Sequence, residues 1–290
     1  MVAHPSFPIS VEKGTFRVHS GALLAQKRVG VRLLPGDVRQ LEREGEGEEI
    51  TVICDSASGE LLCVVLASLS KLRIGVVMGI AAKFLSPPDS RTVGLLGTGR
   101  NALGVLECVV ATRPSLKEIW VYSRKRENRE AFVRQAKETL GLKVRAAETA
   151  EEVVAGKDLV LTSTDSPTPV LKAEWLSPRA YFASTGAPTE VGEDIFAMAG
   201  RIVVSAKGKE GDLVTRHGSA LGRVIQKGLV SLDDVRELGE LVLAPGAERA
   251  FVGLTVFYGS PGGFPELAMA AWLHEEAQRQ GLGHKVDLSN

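Results

Sequence analysis

No apolar run in these 290 residues reaches the roughly 18 residues that a membrane-spanning helix needs; each is broken by Gly, Lys or Arg. Excess charge is also missing. Lys and Arg number 35, as do Asp and Glu, so nothing favours bulk attraction to nucleic acid or to an anionic membrane. The opening residues, MVAHPSFPIS, lack a basic segment followed by an apolar core, so no secretory signal is expected. Only three cysteines are present, Cys54, Cys63 and Cys108, in apolar stretches without C-x-x-C spacing. They read as reduced core thiols of a cytoplasmic protein rather than as a disulfide framework. The five histidines are scattered, with no ligand-spaced cluster, so no metal site is predicted. Repeats and low-complexity segments are absent.

What is present is apolar residues, 44% of the chain, enough for one large domain or two smaller ones. Residues 1–90 read as mixed strand and helix. KRVGVRLL (27–34) predicts a strand. EEITVICDSASGELLCVVLAS (48–68) predicts a hairpin turning at Ser56 to Gly59. SLSKLRIGVVMGIAAKFL (68–85) has helical spacing and stops before Pro87-Pro88. From Arg91 to about Lys207 the texture changes. Apolar runs at 92–97, 118–123, 158–164, 180–186 and 201–206 alternate with helical stretches, the pattern of a parallel sheet covered on both faces. A polar helix-rich stretch, a short apolar segment (251–260) and an amphipathic helix near 265–280 follow. The simplest organisation is a nucleotide-binding domain inserted into a second domain made from both chain ends.

VGLLGTGRNALG (93–104) carries the chemistry. Gly97-Thr98-Gly99-Arg100-Asn101-Ala102 fits G-x-G-x-x-G/A between an apolar strand and a helix. The first glycine permits the sharp turn, the second lets a pyrophosphate approach the backbone, and Ala102 allows close helix packing. The helix N-terminus then offers free N–H groups to the anion. A purely structural glycine turn is the alternative. A dinucleotide with a free ribose 2′-hydroxyl is usually held by an acid ending the second strand. Here Glu118 begins that strand, and its end reads Ser123-Arg124-Lys125-Arg126. A hydroxyl beside cations suits a 2′-phosphate, so NADP(H) is favoured, with NAD(H) possible. A solvated charged turn is the alternative. Ligands lie beyond the carboxyl ends of parallel strands, which adds Ser163, Thr164 and Asp165 after one strand and Ser184, Thr185 and Gly186 after another.

Taken together, SGELLCVV, SKLRIGVVMGIAAKFL, VGLLGTGRNA, KEIWVYSR, KDLVLTSTDSPTPVLKAEWL, AYFASTGA, EGDL and GLGHKVDL resemble the ornithine cyclodeaminase/mu-crystallin family, in its order and over most of the chain from about residue 28. The resemblance implies an α/β fold. A Rossmann-type parallel-sheet domain (89–221) is inserted into an α+β dimerisation and substrate domain (1–88 and 222–290). It implies a small amino- or imino-acid substrate and a homodimer. It also implies roles for three residues. Arg73 matches an arginine that pairs the substrate carboxylate, and a planar, always charged fork suits that task. Asp212, in EGDL, matches an acid that faces the substrate amine, though it would serve equally as a helix cap. Arg17, in FRVHSG, is a looser match to a second carboxylate-binding arginine.

The departures surround the substrate. Arg32 stands where the family has a lysine. Lysine can exchange a proton near neutrality and arginine effectively cannot, although Arg32 can still bind a carboxylate; Lys27 is the one nearby substitute. The segment before the first strands is short, LLPGDVRQ replaces an asparagine-containing loop, and Leu267 stands where an aspartate is common. Three functions remain open. The first is an NAD(P)H-dependent oxidoreductase on the C–N bond of an imino or amino acid, with Arg73 orienting the carboxylate and Asp212 or water supplying the proton. The second is an ornithine cyclodeaminase with tightly held NAD, which would release ammonia. The third is a cofactor-binding protein without turnover.

Overall fold

A computed structural model describes residues 2–3, 7–12, 14–35, 49–205, 207, 219–244, 253–259 and 264–286. The chain divides into two compact units: residues 1–73 with 262–290, and residues 74–261.

The first unit is built on an antiparallel sheet. Its strands are β1 (Val2–Ala3), β2 (Phe7–Val11), β3 (Gly14–Leu23), β4 (Arg28–Pro35), β5 (Ile50–Asp55) and β6 (Leu61–Leu66). They run in the order β1-β3-β4-β5-β6, with β2 also pairing β3. The hairpin expected at 48–68 forms, and Asp55 holds its turn by accepting from the Ala57 and Ser58 amides at 2.8 and 3.0 Å. Strand alternation sorts the side chains into two faces. On one face Ile53 packs with Leu267 and Ala270 of the C-terminal helix and with Leu69. Gly30 lies under this helix, where a Cβ would come within 2.9 Å of the Leu267 side chain. The other face carries exposed Phe7, Ile9, Val29, Val31, Val64 and Leu66.

The second unit is a parallel sheet of eight strands. These are β7 (Thr92–Leu96), β8 (Glu118–Tyr122), β9 (Lys143–Ala146), β10 (Leu159–Thr162), β11 (Tyr181–Ser184), β12 (Arg201–Val204), β13 (Arg236–Glu237) and β14 (Thr255–Tyr258). Their spatial order is β13-β12-β14-β11-β10-β7-β8-β9. The chain proceeds from β7 outward to β9, then returns to lay β10 on the other side of β7. That reversal makes the end of β7 a topological switch point, where doubly wound sheets bind ligands.

Helices cover both faces, as continuous apolar strands require. One face buries α1 (Ser70–Leu85), α2 (Ala102–Thr112), α3 (Arg126–Leu140) and α7 (Leu238–Leu243) around Val93, Leu95 and Phe257. The other buries α4 (Ala150–Val154), α5 (Glu193–Met198) and α6 (Ala220–Gln226) around Leu96, Val160 and Phe182. Pro87 ends α1 as expected. Its last carbonyls are collected by Arg113, which donates to Ala82 O at 3.1 Å and Ser86 O at 2.8 Å.

Two expectations change. The parallel-sheet unit extends beyond 89–221, to 74 at one end and 261 at the other. Val77, Met78 and Ala81 of α1 share a core with Val105 and Leu106 of α2, and β14 pairs between β11 and β12. The chain's N-terminal segment also contributes paired strands, β1 to β3, before the first one expected at 27–34. The C-terminal helix, α8, spans Phe264–Gln280. No helix among the described residues is long and apolar enough to cross a membrane.

Candidate functional site

The carboxyl edge of the parallel sheet gathers the residues expected around a nucleotide. Gly97 leaves β7 with φ +105, in the left-handed half of backbone space that glycine tolerates; a Cβ there would sit 2.4 Å from Ser163 O. Around Gly99 the space is open, the nearest atom to a notional Cβ being Ser163 O at 3.9 Å. Helix α2 starts at Ala102, fully buried, and the Asn101 side chain makes no capping hydrogen bond. Ala102 N turns back to Gly99 O at 3.0 Å, and with no Asn101 cap the rest of this helix start is open to an anion. The turn fits a dinucleotide pyrophosphate on both counts.

Backbone bonds stitch the neighbouring loops to this turn. Gly97 N donates to Tyr122 O at 2.9 Å, Ser163 N to Leu96 O at 3.0 Å and Thr185 N to Thr162 O at 3.2 Å. Gly97–Ala102, Ser123–Arg126, Ser163–Thr164 and Thr185–Gly186 therefore share one edge. Glu118, opposite Thr92 in register, lies at the other end of β8 and pairs with Lys143 and Arg145 at 3.4 and 2.6 Å. Desolvation pushes its carboxyl up, and the two cations more than offset that, holding it below the usual range. No acid ends β8. Ser123 is followed by exposed Arg124 and Lys125, which form no ion pair among the described residues. Arg126 is engaged with Glu130 on its own helix at 2.6 Å.

Two supporting residues were not anticipated. Arg129 is buried beneath this turn, donating to Ser123 O at 3.3 Å, pairing with Glu148 and lying over the Tyr122 ring. Glu190 is fully buried and joins the loops after β10 and β11. Its Oε1 accepts from Thr162 Oγ1 (2.7 Å), Ser184 Oγ (2.7 Å) and Gly186 N (2.9 Å). Its Oε2 accepts from Thr164 N (2.8 Å) and Thr164 Oγ1 (2.6 Å). The Thr164 hydroxyl, expected to face a ligand, is spent on this carboxylate. The Thr185 hydroxyl is buried without a partner among the described residues.

The first unit contains a buried cluster of ions. Alternation along β4 turns Arg32 toward α8, on the face opposite Val29 and Val31. Arg32 is 2% exposed. Its Nη1 donates to Glu266 Oε1 at 2.7 Å and its Nη2 to Glu49 Oε2 at 2.5 Å. Glu49 is fixed in turn by Ser68 Oγ at 3.0 Å and Leu69 N at 3.2 Å. Arg73 N donates to Leu69 O at 2.9 Å, which sets Arg73 in the first turn of α1 beside buried Leu69. The Arg73 Nε lies 3.0 Å from Glu266 Oε1. Burial pulls the Arg73 pKa down, and Glu266 opposes that pull. Two arginines and two glutamates cancel in charge, the condition for burying any of them.

Satisfaction of this cluster is incomplete. Arg73 Nη1, Glu266 Oε2 and the Thr51 hydroxyl, cross-strand from Arg32, are buried without hydrogen-bond partners among the described residues. The sequence pointed to Arg32 and Arg73 but not to Glu49 or Glu266. The start of the last helix, read as lacking its acid at Leu267, does carry one a residue earlier, Glu266. Arg17 is exposed on β3 and joins no ion pair among the described residues; the structure does not bring it into the cluster. Asp212 lies outside the described residues.

Comparison with known proteins follows the same lines. The profile of the ornithine cyclodeaminase/mu-crystallin family matches residues 3–245. A Delta(1)-pyrroline-2-carboxylate reductase of Bacillus cereus is 26% identical over 245 residues, 82% of this chain and 74% of that protein. The ketimine reductase mu-crystallin of Rattus norvegicus is 30% identical over 235 residues, 79% of this chain and 69% of that protein. Among solved structures, the Thermococcus litoralis Delta(1)-pyrroline-2-carboxylate reductase, in complex with NADH and L-proline, aligns with a TM-score of 0.83 at 22% identity. That alignment covers 98% of this chain and 90% of the other. At such identity the likeness concerns the fold.

Proposed function

The chain belongs to the ornithine cyclodeaminase/mu-crystallin family, and from that premise we propose that it is an NADPH-dependent reductase of cyclic α-imino acids. Relatives that reduce pyrroline-2-carboxylate and ketimines support the reaction class. The observation that carries the reading is Arg73. Its guanidinium is buried, and its Nη1 lacks an acceptor among the described residues. A substrate carboxylate is the acceptor that would complete it.

A bound nicotinamide dinucleotide supplies hydride to the imine carbon. Gly97 and Gly99 leave room for its pyrophosphate, and the uncapped start of α2 offers the N–H groups. Ser123, Arg124 and Lys125 suit a 2′-phosphate, and no acid ends β8 to hold a free 2′-hydroxyl. Arg73 holds the carboxylate and so orients the adjacent imine carbon. Arg32 acts as a fixed charge that locks Glu49 and Glu266 in place, since arginine does not exchange protons near neutrality. Asp212 or water protonates the imine nitrogen. We extend the proposal to a homodimer that covers the apolar sheet face of Phe7, Ile9, Val29, Val31, Val64 and Leu66.

The test is nicotinamide absorbance with purified protein, NADPH and a panel of cyclic ketimine acids. Consumption of NADPH with a member of the panel is the expected result. NADPH binding without consumption by any of them would contradict a reductase. Light scattering after size exclusion checks the dimer, and a monomer would contradict it.

A further inference from the structure

We propose that Glu266 is the substrate's nitrogen partner: its free oxygen accepts the N–H of the protonated imine while Arg73 holds the carboxylate. The inference rests on the imino-acid reading above. Glu266 is 0% exposed and Arg73 8%. One glutamate oxygen, Oε1, accepts from Arg32 Nη1 at 2.7 Å and lies 3.0 Å from Arg73 Nε as an ion pair, without a hydrogen bond to it. The other, Oε2, is buried with no donor among the described residues, and so is Arg73 Nη1 with no acceptor. An unmet acceptor and an unmet donor thus stand on two side chains already joined by an ion pair.

Burying either without a partner is costly. One ligand satisfies both when it carries a carboxylate and, on the adjacent atom, an N–H. A cyclic α-iminium acid has that pattern. A plain carboxylic acid lacks the donor, and a keto acid would set an oxygen lone pair against Glu266.

The chemistry balances without a proton from Glu266. A proton reaching the imine nitrogen gives the iminium, whose N–H points to Oε2. With a reduced nicotinamide bound, its hydride would form the new C–H bond. The C=N π pair moves onto nitrogen as a lone pair, leaving a secondary amine and oxidised nicotinamide. Glu266 favours the cationic, hydride-accepting form of the substrate by charge alone. Arg32, which cannot exchange a proton, needs only to hold that carboxylate still.

The experiment is calorimetric binding of two flat, unreactive acids to the full chain in the presence of NADP+. Pyrrole-2-carboxylate carries the N–H, and furan-2-carboxylate carries an oxygen there. The expected result is a preference for the pyrrole of about tenfold or more, the scale of one hydrogen bond to a charged group. In Glu266→Gln that preference should fall while furan-2-carboxylate still binds. Equal binding of the two acids to the unmodified protein would overturn the role of Glu266 and leave the carboxylate site standing. A full preference retained in Glu266→Gln would overturn it too. Failure of both acids to bind would overturn the imino-acid reading itself. The two acids discriminate on the unmodified protein even if the variant does not fold.

Discussion

Two buried carboxylates, one in each unit, show opposite states of completion. Glu190 accepts from two hydroxyls and an amide on one oxygen, and from an amide and a hydroxyl on the other. Glu266 accepts one hydrogen bond, from Arg32, on the oxygen that also faces Arg73 as an ion pair, and leaves the second oxygen without a donor among the described residues. A carboxylate whose oxygens are all engaged is part of the framework. Glu190 ties the loop after β10 to the loop after β11 and so shapes the edge of the proposed nucleotide site. A carboxylate left half engaged in a buried place has capacity for a ligand. The difference separates support from recognition more sharply than residue type does.

The largest effect should come from breaking the incomplete cluster. Arg73→Met removes the proposed partner of the substrate carboxylate and unbalances Glu266. Loss of kcat/KM with a ketimine acid of about a thousandfold is expected, with the affinity for NADPH unchanged. Steady-state kinetics alongside fluorescence titration of NADPH would check this; parallel loss of coenzyme binding would contradict it.

Next in size is the complete cluster. Glu190→Ala orphans five donors, and water can reach only some of them. A stability loss of about 3 kcal/mol, read from the urea midpoint, is expected, with weaker coenzyme binding. A midpoint shift without any change in coenzyme affinity would detach Glu190 from the nucleotide edge.

The glycine turn offers a finer comparison. Gly97→Ala meets Ser163 O in a left-handed backbone, so it should lose about 2 kcal/mol or more of stability. Gly99→Ala enters open space, so its melting temperature should hold while coenzyme affinity drops about tenfold. Thermal melts with and without NADPH separate the two, and equal behaviour would refute the assigned roles.

The smallest change in architecture is Arg124→Asp, on an exposed turn. It should leave folding intact and shift preference from NADPH toward NADH by about tenfold. An unchanged ratio of the two affinities would remove the 2′-phosphate from this turn.

What the sequence made legible was local. The turn after β7 could be read because strand, glycines and helix start are contiguous, and the helices ending at Pro87 and beginning near residue 264 are marked by their own residues. Arg32 and Arg73 came with a family resemblance. Their surroundings did not, because residues 32, 49, 73 and 266 meet only in the folded chain. Glu190 looked like one more polar residue in a Pro- and Thr-containing loop, and Arg129 like one charge among many on RENRE. The placement of β14 between β11 and β12 has no signature in its own four residues, since strand order is set by long-range pairing. Strands β2 and β3 alternate over FPISV and FRVH, but Pro8 argues against a paired strand, Ser20 breaks the later pattern, and no turn signal there is as clear as Ser56 to Gly59.

The most direct measurement compares 1-pyrroline-2-carboxylate with 1-pyrroline, the same ring without the acid, as substrates for NADPH oxidation. The account predicts a kcat/KM higher by about a thousandfold for the acid, carried by Arg73. Equal rates with the two rings would contradict a carboxylate anchor at Arg73, and with it the proposed function.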